Sequence, residues 1–394
     1  MVFARRVNQI EASATLSIAS KAREMKKEGL DVISLAAGEV DFDPPSEAKE
    51  ASIKAIQEGN AHYTDASGIL ELKELIVEKL KRENKINTDV ENVIITPGAK
   101  YALYLAMQAL VNEGDEILLF APYWVSYVEQ IKLAGGIPRI IPTNEDENFK
   151  IEMQEIEKFI NPRVKGIILN YPSNPTGITY TREELEYIGE LAVKKDIFII
   201  SDEIYEYFNY NNNHTSIASL SEKFFNNTIT INGFSKSFAI PGWRIGYAVA
   251  QKEIIKKFSE IQSHSTSNPN NIAQIACIAG LKDSKDYVNK MVSEFKERRD
   301  FFVNALNSIH GIRCLMPDGA FYVFPNIQYY LAKDVGGEVP GNSLEFARII
   351  LEKANVSVVP GSAFGMEGYI RLSYTQPIQR LKEAVKRLCA ILDK

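Results

Sequence analysis

The chain has 394 residues, 45% of them hydrophobic and 24% charged, with a formal charge of −6. That mix belongs to a folded protein with ample core, sized for about two domains at roughly 150 residues each, rather than to a disordered or membrane-spanning one. Net acidity argues against a nucleic-acid footprint, and no block of Lys and Arg reverses it.

Cys277, Cys314 and Cys389 are scattered without a CxxC or metal-ligand spacing, which reads as reduced thiols in a cytoplasmic protein. His62, His214, His264 and His310 form no HExxH or cluster, so no metal is expected. "MVFARRVNQIEASATLS" has no apolar run behind its arginines and is not expected to be a secretory leader. No apolar stretch approaches the ~18 residues of a membrane span.

In chain order, "ATLSIASKAREMKKEG" predicts a helix ended by Gly29, and "DVISLAAG" a short strand. "EVDFDPP" is a turn broken by Pro44-Pro45, and residues 46–59 and 69–83 read as helices. The loop between them, "AHYTDASG", carries one tyrosine. From about residue 93, strands and helices alternate: "NVIIT" into "PGAKYALYLAMQALV", then "DEILLF" into "PYWVSYVEQIKLAG", then "IPRIIP". "VKGIILN", the helix "TREELEYIGELAVKKD" and "IFIISD" follow. Short continuous apolar runs separated by helix-length segments predict strands buried on both faces of a largely parallel α/β sheet. "GYAVA" follows "TITIN" after too short a connection for a crossover helix, so it is expected to run antiparallel. Helices dominate after residue 252, and a small α+β set, from "GAFYVFPNI" to "PIQRLKEAVKRLCAILD", closes the chain. The expected division is a large domain over 46–290 and a small, discontinuous domain from 1–45 and 291–394.

Ligands in open α/β sheets sit beyond the carboxyl ends of the strands. There the sequence sets Asn174 in "YPSNPTG", Asp202 and Tyr205 in "SDEIY", Lys236 after "TITIN", and Arg244 in "GWRIG". Ala99 and Lys100 open a helix at the same edge. Singly, each has an ordinary explanation: a turn amide, a helix cap, a surface guanidinium. Together they supply an amine, a carboxylate, a phenol, an amide, an arginine and a helix N-terminus. Pyridoxal phosphate uses every one of these: an aldehyde for the lysine, a ring nitrogen for the carboxylate, a phosphate for the arginine and helix dipole. Burial lowers an amine's pKa and imine formation removes its charge, which explains a lysine between two apolar runs.

"YPSNPTG", "SDEIY", "FSK" and "GWRIG", with "LAAGEVDF", "PYWVSY" and "VVPGSAF…IRLSY", resemble class I, fold type I pyridoxal-phosphate aminotransferases over nearly the whole chain. "ATLSIASKA", "GAKYAL" and "PYWVSYVEQIKLAGG" are most similar to the bacterial and archaeal aspartate aminotransferase branch. The resemblance implies a seven-stranded, mostly parallel sheet with one antiparallel strand, plus a small α+β domain. It implies that Lys236 forms the internal aldimine and moves the proton, Asp202 holds the pyridinium, Asn174 and Tyr205 bond the ring oxygen, and Trp124 stacks on the ring. Ala99, Lys100, Ser235 and Arg244 are implied at the phosphate, with Tyr63 reaching the neighbouring subunit's phosphate in a homodimer.

Arg371 in "YIRLSY" is implied to clasp the substrate α-carboxylate, assisted by Asn174 and the Gly38 backbone. An arginine within an apolar strand independently asks for an anionic partner. Two departures stand out. Gly233 replaces the hydroxyl that many relatives carry three residues before the lysine. "IQSHSTSNP" lacks the arginine that reads a distal carboxylate, a role implied here for Lys100 and the loop around Ser13 and Thr15. The expected reaction is ping-pong transfer from an L-amino acid, aspartate first, to 2-oxoglutarate through pyridoxamine phosphate. Alternatives on the same scaffold are aromatic-, prephenate- or alanine-type transaminases, a decarboxylase or a β-lyase. A DNA-binding regulator needs an extra basic segment of roughly 60 residues, which the match leaves no room for. A dinucleotide-dependent dehydrogenase lacks its GxGxxG after a strand.

Overall fold

The computed structural model describes residues 2–4, 6–11, 14–211 and 214–392, with residues 14–16 described by their backbone alone. Strand β1 (Ile33–Ser34) is followed by β2 (Val93–Thr96), β3 (Glu116–Phe120), β4 (Ile137–Ile141), β5 (Val164–Asn170), β6 (Phe198–Asp202), β7 (Thr228–Gly233) and β8 (Gly246–Val249). The last seven form one sheet in the order β2-β8-β7-β6-β5-β3-β4. β8 alone runs antiparallel to its neighbours, β2 and β7. The 12 residues between β7 and β8 hold only a helical turn, Phe234–Ser237, and a 3-10 turn, Pro241–Trp243, so no crossover can form.

Alternate residues of the central strands enter different cores, as burial on both faces requires. Ile117, Leu119, Ile168 and Ile200 pack with the helix Ala99–Leu110 on one face. Leu118, Ile167, Leu169 and Ile199 pack with the helix Arg182–Lys195 on the other. Thr181 and Glu184 start that helix as a capping box, each side chain bonded to the other's backbone N–H.

The second region is built on β9 (Tyr322–Val323), β10 (Val356–Ser357), β11 (Val359–Pro360) and β12 (Ile370–Ser373). β1 pairs in parallel with β10, and β11-β12-β9 is antiparallel, so the N-terminal strand completes the C-terminal region. The helix Lys285–Asn307 runs from the large-sheet core, through Val288, into the second core, through Phe295, Phe302 and Leu306. No described helix is long and apolar enough to cross a membrane.

Register fixes the position of the site. Asn170 on β5 stands opposite Asp202 on β6, and Asp202 opposite Ile231 on β7. β5 and β6 therefore end level and β7 two residues further on, and the residues that follow them share one edge.

Candidate active site

Each expected residue except Tyr63, Ser13 and Thr15 lines one cavity of about 450 Å³ at that edge. Ser13 and the side chain of Thr15 lie outside the described residues. Tyr63 is 89% exposed and lies away from the cavity of its own chain.

Lys236 projects from the helical turn after β7, and its Nζ donates to the Gly38 carbonyl at 2.7 Å. Burial pushes its pKa down to about 8; Glu39 opposes the shift, and the Arg371 and Arg244 cations add to it. Across the cavity, Asp202 is buried at the end of β6. Tyr127 Oη donates to its Oδ2 at 2.7 Å, and the Ile204 N–H reaches Oδ1 at 3.3 Å. Burial nevertheless pushes the carboxyl up to about 6. Behind it, Glu203 is completely buried and takes hydrogen bonds from Ser201 and Ser216, both at 2.7 Å, and pairs with His214 at 2.8 Å. That network anchors the turn carrying Asp202 and Tyr205.

The helix Ala99–Leu110 points its N-terminus at the cavity from its cap, Gly98. Gly98 has φ +84°, which favours glycine, and a Cβ there would lie 2.4 Å from Arg244 Nη2 and displace that guanidinium. Gly246 is equally tight: its Cβ would meet Ala99 N at 2.2 Å, which lets β8 run directly beneath the helix start. Arg244 donates to the Pro241 carbonyl at 2.8 Å and to the Pro97 carbonyl at 3.4 Å, which holds its guanidinium beside that helix end. Lys100 is exposed overall, and its Nζ lies 4.8 Å from the centre of the Trp124 ring. Burial of that end, then the Arg244 charge, lowers its pKa.

Gly233 explains its own departure. A Cβ would meet Gly246 Cα at 2.8 Å and the Ile245 carbonyl at 3.0 Å, so no side chain of any kind fits there.

Arg371 enters from β12 and is 2% exposed. It donates to Asn174 Oδ1 at 3.0 Å and to the Ala36 carbonyl at 2.6 Å, while its buried Nε has no partner. Among the described residues no carboxylate pairs with it. A buried cation held only by neutral groups is costly, and its geometry is set to receive an anion.

Sequence reasoning missed Asn170, Tyr127 and Tyr322. Asn170 was visible as the last residue of "GIILN", and it donates to the Asp202 carbonyl at 3.0 Å. Tyr127 follows Trp124 by three residues, the spacing of one helix face, and their rings meet edge-on at 5.3 Å. Tyr322 gave no signal, because an aromatic in "GAFYVF" is ordinary strand composition. A second cavity of about 480 Å³ lies by Arg82 and Glu206, but its buried acid is already held by Lys79 and by Asn84 at 2.6 Å.

Fold and site together bring a buried amine, a buried carboxyl, an unpaired arginine and a helix N-terminus into one cavity at the carboxyl edge of an α/β sheet. The sequence model described as "Aminotransferase class I and II" matches residues 30–388, and the chain belongs to that family, in its fold type I aspartate aminotransferase branch. It is 43% identical to a probable aspartate/prephenate aminotransferase of Aquifex aeolicus, over 99% of this chain and 98% of that one. It is 44% identical to an aspartate aminotransferase of Geobacillus stearothermophilus, over 100% and 99%. The aspartate aminotransferase of Thermus thermophilus with maleate superposes with a TM-score of 0.94 at 37% identity, covering both chains completely. This chain is therefore a pyridoxal-phosphate-dependent aminotransferase.

Proposed function

We propose that the enzyme moves the amino group of an L-amino acid, aspartate first, to 2-oxoglutarate in two half-reactions, with the group left on the enzyme between them. The observation that carries this reading is a buried Arg371 without an anion in the same cavity as a weakly basic Lys236 and a buried Asp202.

The residues fit pyridoxal phosphate: the buried Lys236 amine suits an aldehyde, the buried Asp202 carboxyl a ring nitrogen, and a glycine-lined helix end with an arginine a phosphate. When bound, the cofactor supplies an aldehyde for amines and a ring that accepts the electron pair left at the substrate α-carbon. Lys236 would hold the cofactor through its amine, give way to the substrate amine, and carry the proton from the substrate α-carbon. Asp202 keeps the ring nitrogen charged, and Asn174 and Tyr205 donate to the ring oxygen. Trp124 covers a ring face. Ala99, Lys100, Ser235 and Arg244 hold the phosphate, with Tyr63 of a second copy completing it in a homodimer. Arg371 and Asn174 fix the α-carboxylate beside Gly38, which directs the α-hydrogen toward Lys236. Lys100, with Ser13 and Thr15, takes the distal carboxylate. Lys100 is a point charge rather than a bidentate fork, so this end is permissive, and prephenate fits the same description of an oxo acid with a second carboxylate. A cytoplasmic setting agrees with three cysteines scattered without a CxxC spacing.

The test is half-reaction spectroscopy: aspartate, glutamate, alanine and phenylalanine are added singly to cofactor-loaded protein and loss of the visible band is followed. Aspartate is expected to react fastest; pyruvate, ammonia and hydrogen sulfide released from added cysteine, whose β-sulfur can leave, with no band loss on aspartate, would indicate a lyase and overturn the proposal. Arg371→Ala is expected to lower kcat/KM for aspartate by about 10²–10³-fold, the value of a lost bidentate charge-assisted contact. In Gly98→Ala, the new methyl pushes on Arg244. The cofactor dissociation constant is expected to rise about tenfold or more, and chemical denaturation of the cofactor-free chain should show a loss of more than about 1 kcal/mol.

A further inference from the structure

Tyr322 has no task in the reading above, yet its surroundings are closely specified. It lies on β9, which pairs with the strand that carries Arg371, and its side chain is 1% exposed. Its ring lies against the Arg371 guanidinium, 4.6 Å from the centroid. A methyl group on Gly38 would come within 2.3 Å of its hydroxyl, so the ring fits only against glycine. That hydroxyl stands 3.0 Å from Tyr205 Oη, its one hydrogen-bond partner among the described residues.

A phenol has a single proton to donate and lone pairs to accept with. In the isolated pair either hydroxyl can be the donor. Once Tyr205 donates to an oxygen in the cavity, its proton is committed and it can only accept from Tyr322. We infer that Tyr322 is a positioning residue: it donates to Tyr205 and thereby strengthens the hydrogen bond that Tyr205 offers the cofactor's ring oxygen. Hydrogen bonds in such chains polarise one another. The Arg371 cation against the ring makes the Tyr322 O–H a better donor, because positive charge favours electron density on its oxygen. The small sheet that fixes the carboxylate clamp thus also fixes the phenol pair. The inference rests on the Tyr205 role proposed above.

The test uses full-length, cofactor-loaded protein and follows the pH midpoint of its visible absorption band. Donation from Tyr205 draws charge from the ring oxygen, which otherwise shares the proton of the nitrogen linked through Lys236, so losing that donation raises the midpoint. Tyr205→Phe is expected to raise it by about 1 pH unit or more, the scale of one charge-assisted hydrogen bond. Tyr322→Phe is expected to raise it by about 0.3 pH unit, a cooperative fraction of that effect. The double variant is expected to match Tyr205→Phe alone, because Tyr322 acts only through Tyr205.

A midpoint that stays or falls in Tyr322→Phe while rising in Tyr205→Phe overturns the inference and leaves the Tyr205 role intact. Equal shifts from Tyr322→Phe in both backgrounds overturn it as well. No shift in Tyr205→Phe overturns both readings. If Tyr322→Phe fails to load cofactor, 3-fluorotyrosine at position 322 gives the answer: it keeps the shape and is the stronger donor, so a lower midpoint supports the inference and an unchanged one overturns it.

Discussion

Lys236→Ala is expected to abolish the visible absorption of the cofactor-loaded enzyme and to cut turnover by at least about 10³-fold. Both roles proposed for this residue need an amine at the same point, first to hold the cofactor and then to carry a proton. No neighbour can substitute. Lys100, the other amine of the cavity, stands over Trp124 near the helix start, whereas Lys236 reaches the Gly38 carbonyl on the substrate side. With a pKa near 8, Lys236 is largely protonated at pH 7 and mostly neutral at pH 9. Cofactor uptake by the cofactor-free protein, followed in a stopped-flow spectrophotometer, should therefore accelerate as pH rises from 7 to 9. Ordinary turnover in the alanine variant would exclude the assignment.

The second large effect is expected at Asp202. Asp202→Asn keeps the shape but gives up the charge opposite the ring nitrogen, and turnover should fall by about 10²–10⁴-fold, the range of a lost proton-controlling group. Stability should move the other way. The folded carboxyl titrates near 6, above the ~3.9 of an unfolded aspartate. A raised carboxyl pKa means that the folded chain binds the proton more tightly. Ionisation therefore costs stability as pH rises from about 4 to 6, and the whole penalty stands above 6. Its size is on the order of 3 kcal/mol. Cofactor-free Asp202→Asn at pH 8 is thus expected to melt no lower than the parent in a calorimeter, despite its lost activity. A clear drop in melting temperature would show that the ionised carboxylate contributes to the empty fold, contrary to its burial. In the parent, cofactor affinity should weaken as pH falls through 6, where Asp202 becomes neutral.

Much of this was legible in the chain itself. Continuous apolar runs such as "GIILN" and "IFII" predicted strands buried on both faces, and alternate residues of these strands do enter opposite cores. The short link between "TITIN" and "GYAVA" predicted the antiparallel β8, because a crossover needs more chain than the link supplies. Asn174, Asp202 and Lys236 could be assigned to one edge because they follow strands, and that edge is where α/β sheets place ligands. Boundaries were less legible: the helix expected over 69–83 is α-helical only over Leu70–Lys79, and Leu80–Asn84 widens to a π turn.

The sequence alone determined that an amine, a carboxylate and an amide follow adjacent strands, since strand polarity and element order are local properties of the chain. Tertiary structure decided which of those groups are left without partners and which are supported. Arg371 Nε lacks a partner, Tyr127 secures Asp202, and Tyr322 meets Tyr205 across 117 positions of sequence. It also decided that Gly233 has no room for a side chain and that one at Gly98 would displace Arg244. Burial, pairing and close approach are relations between distant segments, and neither periodicity nor spacing records them until the strands are set in register.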